Sequence, residues 1–472
     1  MLRLKFTIGC VLLMLVQACT LGPDYTRPEL DVPEGYIGAD KQKTSFANLE
    51  WWMLFQDPQL QELIETALEE NKDLNIALSR IEEARSLVTV VRSDQYPTVD
   101  AIGGVGRGRQ SREIVPDADT DDNYSASLDL AFEIDFWGRF RRATQAQLAE
   151  LLATEAAHKA IMITLIAEVA DTYFLLLDLD NQLLISIETL KSRQESLKIM
   201  EARFSEGTIP ELDVNQAQIE AADAAVTIAI LQRQIVQTEN GLRVLLGRNP
   251  GPVKRGKNLT KQTIPPEIPT GLPSELLQRR PDLIVAEEQL KAQTARIGVA
   301  EALRYPSFSL TGQFGYESTD LDDLNSSDAE SWNLFGGIFF PIFNAGRLSA
   351  QVEIEIERTK QAQLLYEQTL QQALREVENA LIAIRTYREE YKLTKQQLTA
   401  AKNAARLSRA RYDGGVVDYL EVLDSERTLF RVELSESETL QQYINSIVDL
   451  YLALGGGWEN NTDTANESAA SN

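Results

Sequence analysis

From Tyr124 to Phe136 the chain alternates between apolar and polar residues almost without a break. Tyr124, Ala126, Leu128, Leu130, Phe132, Ile134 and Phe136 fall on one side, and Ser125, Ser127, Asp129, Ala131, Glu133 and Asp135 on the other. A period of two is the mark of a strand with unlike faces. This one would extend about 43 Å at ~3.3 Å per residue, longer than most globular strands. Phe308, Leu310, Phe314 and Tyr316 alternate with Ser307, Ser309, Thr311 and Gln313 in the same way. A fourth run sets Trp332, Leu334, Ile338, Phe340 and Ile342 on one face, with Phe335 and Phe339 on the other. A glycine-rich run from about Val99 to Gly108 completes two pairs of strands. An apolar face opposite one bearing hydroxyls and acids predicts a lipid-facing barrel with a wet lumen, and puts Phe132 near mid-bilayer. A soluble sandwich would alternate too, so the strands alone leave both open.

After each pair the period lengthens. No Gly or Pro occurs from Arg139 to Glu206, or from Arg347 to Asp413. Helices of that length extend roughly 100 Å at ~1.5 Å per residue. Leu176, Leu183, Leu190, Leu197 and Phe204 recur every seven residues, as do Ile384, Tyr391, Leu398, Ala405 and Tyr412. A heptad repeat predicts coiled-coil packing. Glu206-Gly207 and Gly414-Gly415 then read as turns, from which second helices return to Leu246 and Leu454. A shorter helical pattern runs from Pro58 to about Arg92.

The two halves are copies. Asn71-Lys72-Asp73-Leu74 through Gln95-Tyr96-Pro97 lies over Arg280-Pro281-Asp282-Leu283 through Arg304-Tyr305-Pro306 at a constant offset of 209. Beyond the strands the offset is 208, carrying Gly138-Arg139 to Gly346-Arg347 and Leu246-Gly247 to Leu454-Gly455. The period is far too long for a solenoid. It predicts one body with internal pseudo-symmetry.

Composition narrows the function. Arg3 and Lys5, the apolar run Ile8 to Val16 and Val16-Gln17-Ala18 before Cys19 read as a cleaved leader over residues 1–18. Loss of Arg3 and Lys5 would take the formal charge from −25 to −27, which excludes a phosphate-binding surface and hence nucleic acid as a partner. Cys10 goes with the leader, so Cys19 remains alone and no disulfide can form. No other apolar run of membrane-spanning length is legible, so any crossing must be a β-barrel.

Catalytic patterns fail. One histidine, His158, lies mid-helix, and one Cys with one His cannot make a zinc site. Gly103-Gly104-Val105-Gly106-Arg107-Gly108 has glycines like a phosphate loop but no helix after it. Glu133 and Asp135 share a strand face that reads as a wet wall, and no cofactor or metal is implied. The turn at the helical tips is more informative. There Leu420, Asp424 and Arg427 lie one turn apart on a single helix face. Carboxylates brought together about an axis would repel by about 4 kcal/mol per pair at 4 Å and an effective dielectric of 20. Neutralising arginines, cations or dilation would relieve that, and Asp424 and Arg427 are expected to pair within or between chains and hold the tips inward. An ordinary helix start with solvated acids is the alternative.

Several motifs together resemble one family. These are Cys19-Thr20-Leu21-Gly22-Pro23-Asp24-Tyr25-Thr26-Arg27-Pro28, Trp51-Trp52 with Phe55-Gln56-Asp57-Pro58, Arg279-Arg280-Pro281-Asp282, Pro341-Ile342-Phe343-Asn344-Ala345-Gly346-Arg347 and Leu454-Gly455-Gly456-Gly457-Trp458. They are similar to those of the outer membrane factor family, in its lipoprotein, OprM-like branch, with the TolC-like branch more distant. The resemblance implies a mainly α fold with a β-barrel portion: a long coiled-coil α-barrel under a transmembrane barrel of four strands per chain, 12 in a homotrimer. Four strands cannot close a barrel and eight leave little lumen, so three chains are the smallest ring with an open pore. Val16-Gln17-Ala18-Cys19 resembles a lipobox, which implies acylation of Cys19; a plain secretory leader is the alternative.

By similarity, Leu420, Asp424 and Arg427 match the periplasmic constriction of the lipoprotein branch, and Glu421 and Asp424 the acidic rings of the TolC-like branch. Tyr412 and Asp213 match partners in bonds that close the gate, while Val417 departs from an arginine of the TolC-like latch. The tips around Gly207 and Gly415 match the docking site of a periplasmic membrane-fusion adaptor. The expected partners are that adaptor, an inner-membrane transporter of RND type and outer membrane lipid. The expected function is a passive efflux conduit, not an enzyme, lipid-anchored in the outer membrane and reaching into the periplasm. A pore-less coiled-coil lipoprotein scaffold is the rival. The implied organisation is a leader over 1–18, an arm over 19–56, helices over 57–96, strands over 97–137 and a helical hairpin over 138–247. A Pro-rich linker follows over 248–273, then helices over 274–305, strands over 306–343, a second hairpin over 344–457 and a disordered tail over 458–472.

Overall fold

The computed structural model describes residues 20–36, 51–111, 113–114, 116–117, 119–265 and 273–456. The leader, Cys19, part of the arm, part of the linker and the tail lie outside the described residues. In chain order the elements are α1 (Pro58–Glu70), α2 (Lys72–Ser93), β1 (Thr98–Gly108), β2 (Asp121–Ile134), α3 (Arg139–Ser205), α4 (Glu211–Leu245), α5 (Leu276–Arg279), α6 (Pro281–Ala302), β3 (Ser307–Ser318), β4 (Glu330–Phe339), α7 (Arg347–Asp413) and α8 (Tyr419–Ala453). The duplication is visible in their lengths. α2 and α6 each hold 22 residues, α3 and α7 each 67, and α4 and α8 each 35.

Four helix ends close with the same backbone device. Gly207, Gly247, Gly415 and Gly455 all have positive φ, from 68° to 72°. After each, the next amide donates back five residues, as Thr208 does to Arg203 O and Val416 to Arg411 O. This is a Schellman closure, which satisfies carbonyls the helix leaves open. A side chain at these positions would sit in the left-handed region, so glycine is required. Two corrections concern the N-terminal part. Trp51–Phe55 is a buried 3-10 turn and not extended arm. The pattern from Pro58 to Arg92 breaks at Asn71, whose side chain accepts from Leu74 N at 2.9 Å while its amide donates to Leu245 O at 2.8 Å.

The chain forms two compact units. The first holds residues 1–29, 80–155 and 285–367, and with them the sheet. Its strands run in the order β1-β2-β3-β4, each antiparallel to the next. The register sets Leu128 opposite Ala101 and Phe314, Phe314 opposite Trp332, and Leu130 opposite Val99 and Gly312. Most apolar positions of the four strands therefore share one face, and Val105, Leu128, Trp332, Leu334 and Ile338 are exposed on it, while Ile102, Phe335 and Phe339 lie on the other. On the other face Ser127 Oγ donates to Asp129 at 2.8 Å, Gln313 donates to Ser127 at 3.3 Å and Asn333 donates to Gln313 at 3.2 Å. A hydrogen-bonded polar ladder behind an exposed apolar face is what a barrel wall needs. Phe132 lies two residues from the end of β2, whereas Leu128 is at its middle. The strand's centre is thus Leu128 and not Phe132, because β2 begins at Asp121, three residues earlier than the alternation suggests.

The arm is fastened within this unit. Arg142, buried, donates to Leu21 O at 3.0 Å and Gly22 O at 3.1 Å and pairs with Asp24 at 2.8 Å. Tyr25 and Arg27 both donate to Glu287. Gly22 and Gly298 touch so closely that a Cβ on Gly22 would lie 2.4 Å from Gly298 Cα.

The second unit holds residues 30–79, 156–284 and 368–472. Its core joins Trp51, Phe55, Leu60 and Ile64 to Val169, Tyr173, Phe174 and Leu176 of α3 and to Ile444, Val448 and Tyr451 of α8. Side chains of this size each stabilise by about 1.5–3 kcal/mol when fully buried. The stretch of α3 that supplies them is long and apolar enough to cross a membrane. This corrects the reading that no such run exists, although 56% of that stretch is buried within the protein. Asp57, fully buried, caps α1 and accepts from Tyr173 OH at 2.9 Å and Gln262 Nε2 at 2.7 Å, which clips the linker to the core.

Candidate functional site

The tips of the two hairpins belong to the second unit. A small core of Met200, Ala217, Tyr419, Val422 and Leu423 holds them together. Its apolar residues on α8 fall at positions 419, 422 and 423, one stripe of a helical face. That spacing turns Leu420 and Asp424 outward. Leu420 is 59% exposed, and its repeat partner Leu212 on α4 is 62% exposed. Asp424 is also exposed and forms no hydrogen bond or ion pair among the described residues.

The expected Asp424–Arg427 pair is absent within the chain. Arg427 Nε donates to Glu220 on α4. Glu220 is nearly buried, and its other oxygen lies 3.1 Å from Arg193 of α3 without hydrogen-bond alignment. Arg193 also donates to Glu220 O at 2.7 Å, and its guanidinium lies 5.0 Å from the Phe430 ring on α8. Next to this cluster Arg409 of α7 faces Glu426 at 3.7 Å and Ser196 at 3.1 Å. Burial pushes the Glu426 carboxyl up, opposed by Arg409 and Arg193.

Other predicted site residues fall nearby with different partners. Glu421 accepts from Arg411 at 2.6 Å. The Tyr412 hydroxyl contacts Met200 Sδ at 3.5 Å, its ring lies 5.3 Å from that of Tyr419, and no hydrogen bond joins it to Asp213 within the chain. Asp213 sits in the first turn of α4, where burial and the Asp418 carboxylate push its pKa up. Gly207 and Gly415 are open at the tips, with nothing within 4 Å of an added Cβ. Glu220 and Arg193 were missed by sequence reasoning because acids and bases on long helices read as solvated. The buried spacing Ala217, Ala221, Ala224 flanks Glu220 and is the signal that could have found it.

Comparison with known proteins shows the family and the fold. The family model described as outer membrane efflux protein matches twice, over residues 63–248 and 272–456. The chain belongs to the outer membrane efflux protein family. The solvent efflux pump outer membrane protein SrpC of Pseudomonas putida is 37% identical over 456 residues, covering 94% of this chain and 97% of SrpC. The cation efflux system protein CusC of Escherichia coli O157:H7 is 35% identical over 456 residues, covering 95% and 98%. The open state of the Neisseria gonorrhoeae MtrE outer membrane channel superposes with a TM-score of 0.84 at 30% identity, covering 94% of this chain and all of MtrE. Like other outer membrane efflux proteins, this chain is mainly helical with a β-barrel portion. It is the outer membrane channel of a tripartite efflux system, where it works with an adaptor and an inner-membrane transporter. The two family matches coincide with the two sequence halves. A pore-less scaffold is not favoured.

Proposed function

We propose that this chain forms a passive homotrimeric conduit whose periplasmic mouth is narrowed by Leu420, Asp424 and Arg427. The observation that carries the reading is the pairing of an exposed leucine and an uncompensated carboxylate on one face of α8. Threefold symmetry would set three copies of each about an axis. Leucine narrows the opening sterically, and the Asp424 carboxylates form a ring that binds cations. Glu421, Tyr412 and Asp213 shape the tip around it. The chain performs no catalysis.

The open glycine turns at Gly207 and Gly415 serve as the adaptor's docking points, and the transporter is of RND type. Cys19 carries the lipid anchor. Acylation at its sulfur and α-amine would supply more than one chain, enough for stable anchoring. Planar bilayers with purified trimer test the reading. Ion conductance that rises in Leu420→Ala with Asp424→Ala supports it, and unchanged conductance places the constriction elsewhere.

A further inference from the structure

The gate helix α8 is tied to the α3–α4 hairpin by a charge cluster that none of the expected gate contacts includes. Glu220 of α4 lies between Arg427 of α8 and Arg193 of α3. The side chains of Glu220 and Arg193 are 7% and 4% exposed, while that of Arg427 is 49% exposed. One end of the clamp is therefore shut away from water, and the other reaches solvent. Arg193 adds a second tie to α8 through the face of Phe430. The remaining charges nearby are Asp223, 3.7 Å from Arg193, and Arg409 with Glu426 at 3.7 Å and Asp413 at 3.9 Å. Three guanidiniums thus meet four carboxylates, and Glu220 is the carboxylate that Arg427 and Arg193 share.

We propose that Glu220 is the positioning residue of the periplasmic gate. It holds Arg427 against α4 and so keeps α8, with Leu420 and Asp424, in its resting place. This rests on the reading that those residues form the constriction. Any displacement of α8 that carries Leu420 outward must break Arg427–Glu220 or drag α4 along. Removing the Glu220 charge leaves Arg193 buried without its main counter-ion, a state that is strongly unfavourable. The clamp also explains why Asp424 has no basic partner within the described residues of its own chain: Arg427 is already committed to Glu220. Tyr412, turned toward Met200, supplies no equivalent bond.

The test uses purified full-length trimers in planar bilayers, comparing wild type with Glu220→Gln, Glu220→Asp, Arg427→Gln, the Glu220→Gln/Arg427→Gln double variant and Leu420→Ala/Asp424→Ala. Loss of the clamp should shift the closed-to-open ratio on the order of tenfold, the scale of one coupling contact. Glu220→Gln and Arg427→Gln should each raise conductance, and the double variant should add nothing to either. Glu220→Asp, which keeps the charge, should restore resting conductance at least in part. Additive effects of the two single changes, or no effect of Glu220→Gln while Leu420→Ala/Asp424→Ala opens the channel, would overturn the proposal and leave the gate reading intact. No effect from any variant would overturn the gate reading itself. If Glu220→Gln does not assemble, Arg427→Gln breaks the same pair from its solvent side. A resting conductance in that variant equal to wild type would then refute the clamp.

Discussion

Replacing Leu128 by arginine puts a charge at the middle of β2, on the face that carries Ala126, Leu130 and the paired Phe314. Strand β2 holds 14 residues from Asp121 to Ile134, so Leu128 is six residues from one end and seven from the other. An arginine facing lipid at the bilayer midplane costs about 2–4 kcal/mol, falling to about 0–1 near the interface. A homotrimer carries the substitution three times, giving about 6–12 kcal/mol, comparable with the whole stability of an ordinary fold. Phe132→Arg, about 13 Å further along at ~3.3 Å per residue, should cost far less. Ser127→Arg is the control. It sits one residue from Leu128 on the opposite face, where Asp129 at 2.8 Å from the serine hydroxyl offers a counter-charge.

The assay is the yield of heat-modifiable trimer in isolated outer membranes, with ion selectivity measured on whatever assembles. Leu128→Arg should abolish the trimer, Phe132→Arg should reduce it modestly, and Ser127→Arg should assemble with weakened cation preference. If Ser127→Arg is lost while Leu128→Arg assembles, the two faces of the sheet are exchanged. If all three assemble alike, the sheet does not face lipid.

Cys19→Ser should lose acylation yet retain much barrel insertion; mass spectrometry of the wild-type mature N-terminus checks it, and an unmodified amine at residue 19 refutes the anchor. Millimolar divalent cations on the periplasmic side should reduce wild-type conductance, and Leu420→Ala/Asp424→Ala should lose most of that block. Asp171 of α3 gives a pH signature: burial first, then Asp449 and Glu168, push its carboxyl from 3.8 up to about 8, and one of its oxygens has no hydrogen-bond partner. The folded form thus holds a proton that the unfolded chain releases, so stability falls as pH rises from about 4 to about 8 and then levels off. Asp171→Asn should raise Tm at pH 8 by the equivalent of on the order of a few kcal/mol, leave it nearly unchanged at pH 4, and flatten the profile between; an unchanged profile refutes the assignment.

Much of this was legible because it repeats with short periods. The two-residue alternation of β2 and β3 needs no tertiary information, and the register in the structure brings those same apolar residues onto one face. The long helices were legible because Gly and Pro are absent over their whole length. Strand β1, weak in alternation, was read from its glycine-rich run. The features that stayed hidden were set by contacts distant in sequence. Asn71 breaks a helical pattern because its amide meets Leu245 O, 174 residues away. Trp51 looks like part of an arm until its ring stacks 5.4 Å from that of Tyr451. At the tips the helix face of Leu420 and Asp424 could be read, but not that Arg427 would turn to Glu220, 207 residues away. Spacing along one helix gives neighbours, and only packing decides which neighbour wins.

The duplication also bears on the two hairpin tips. The two tips share a backbone plan: equal return helices of 35 residues, glycine closures at Gly207 and Gly415, and exposed leucines at 212 and 420. They differ in the residues just past the leucine. Glu421 and Asp424 stand on α8, whereas the positions 208 residues earlier hold Asp213 and Gln216, so the second copy carries the uncompensated carboxylate. Conversely Glu220 of α4 corresponds to Thr428 on α8, so the second copy has no carboxylate at that position. On the proposed gate reading, divergence between the copies puts the acidic ring on one helix and its anchor on another. The ion pair between them then becomes a point where the relative position of two hairpins is set by one carboxylate.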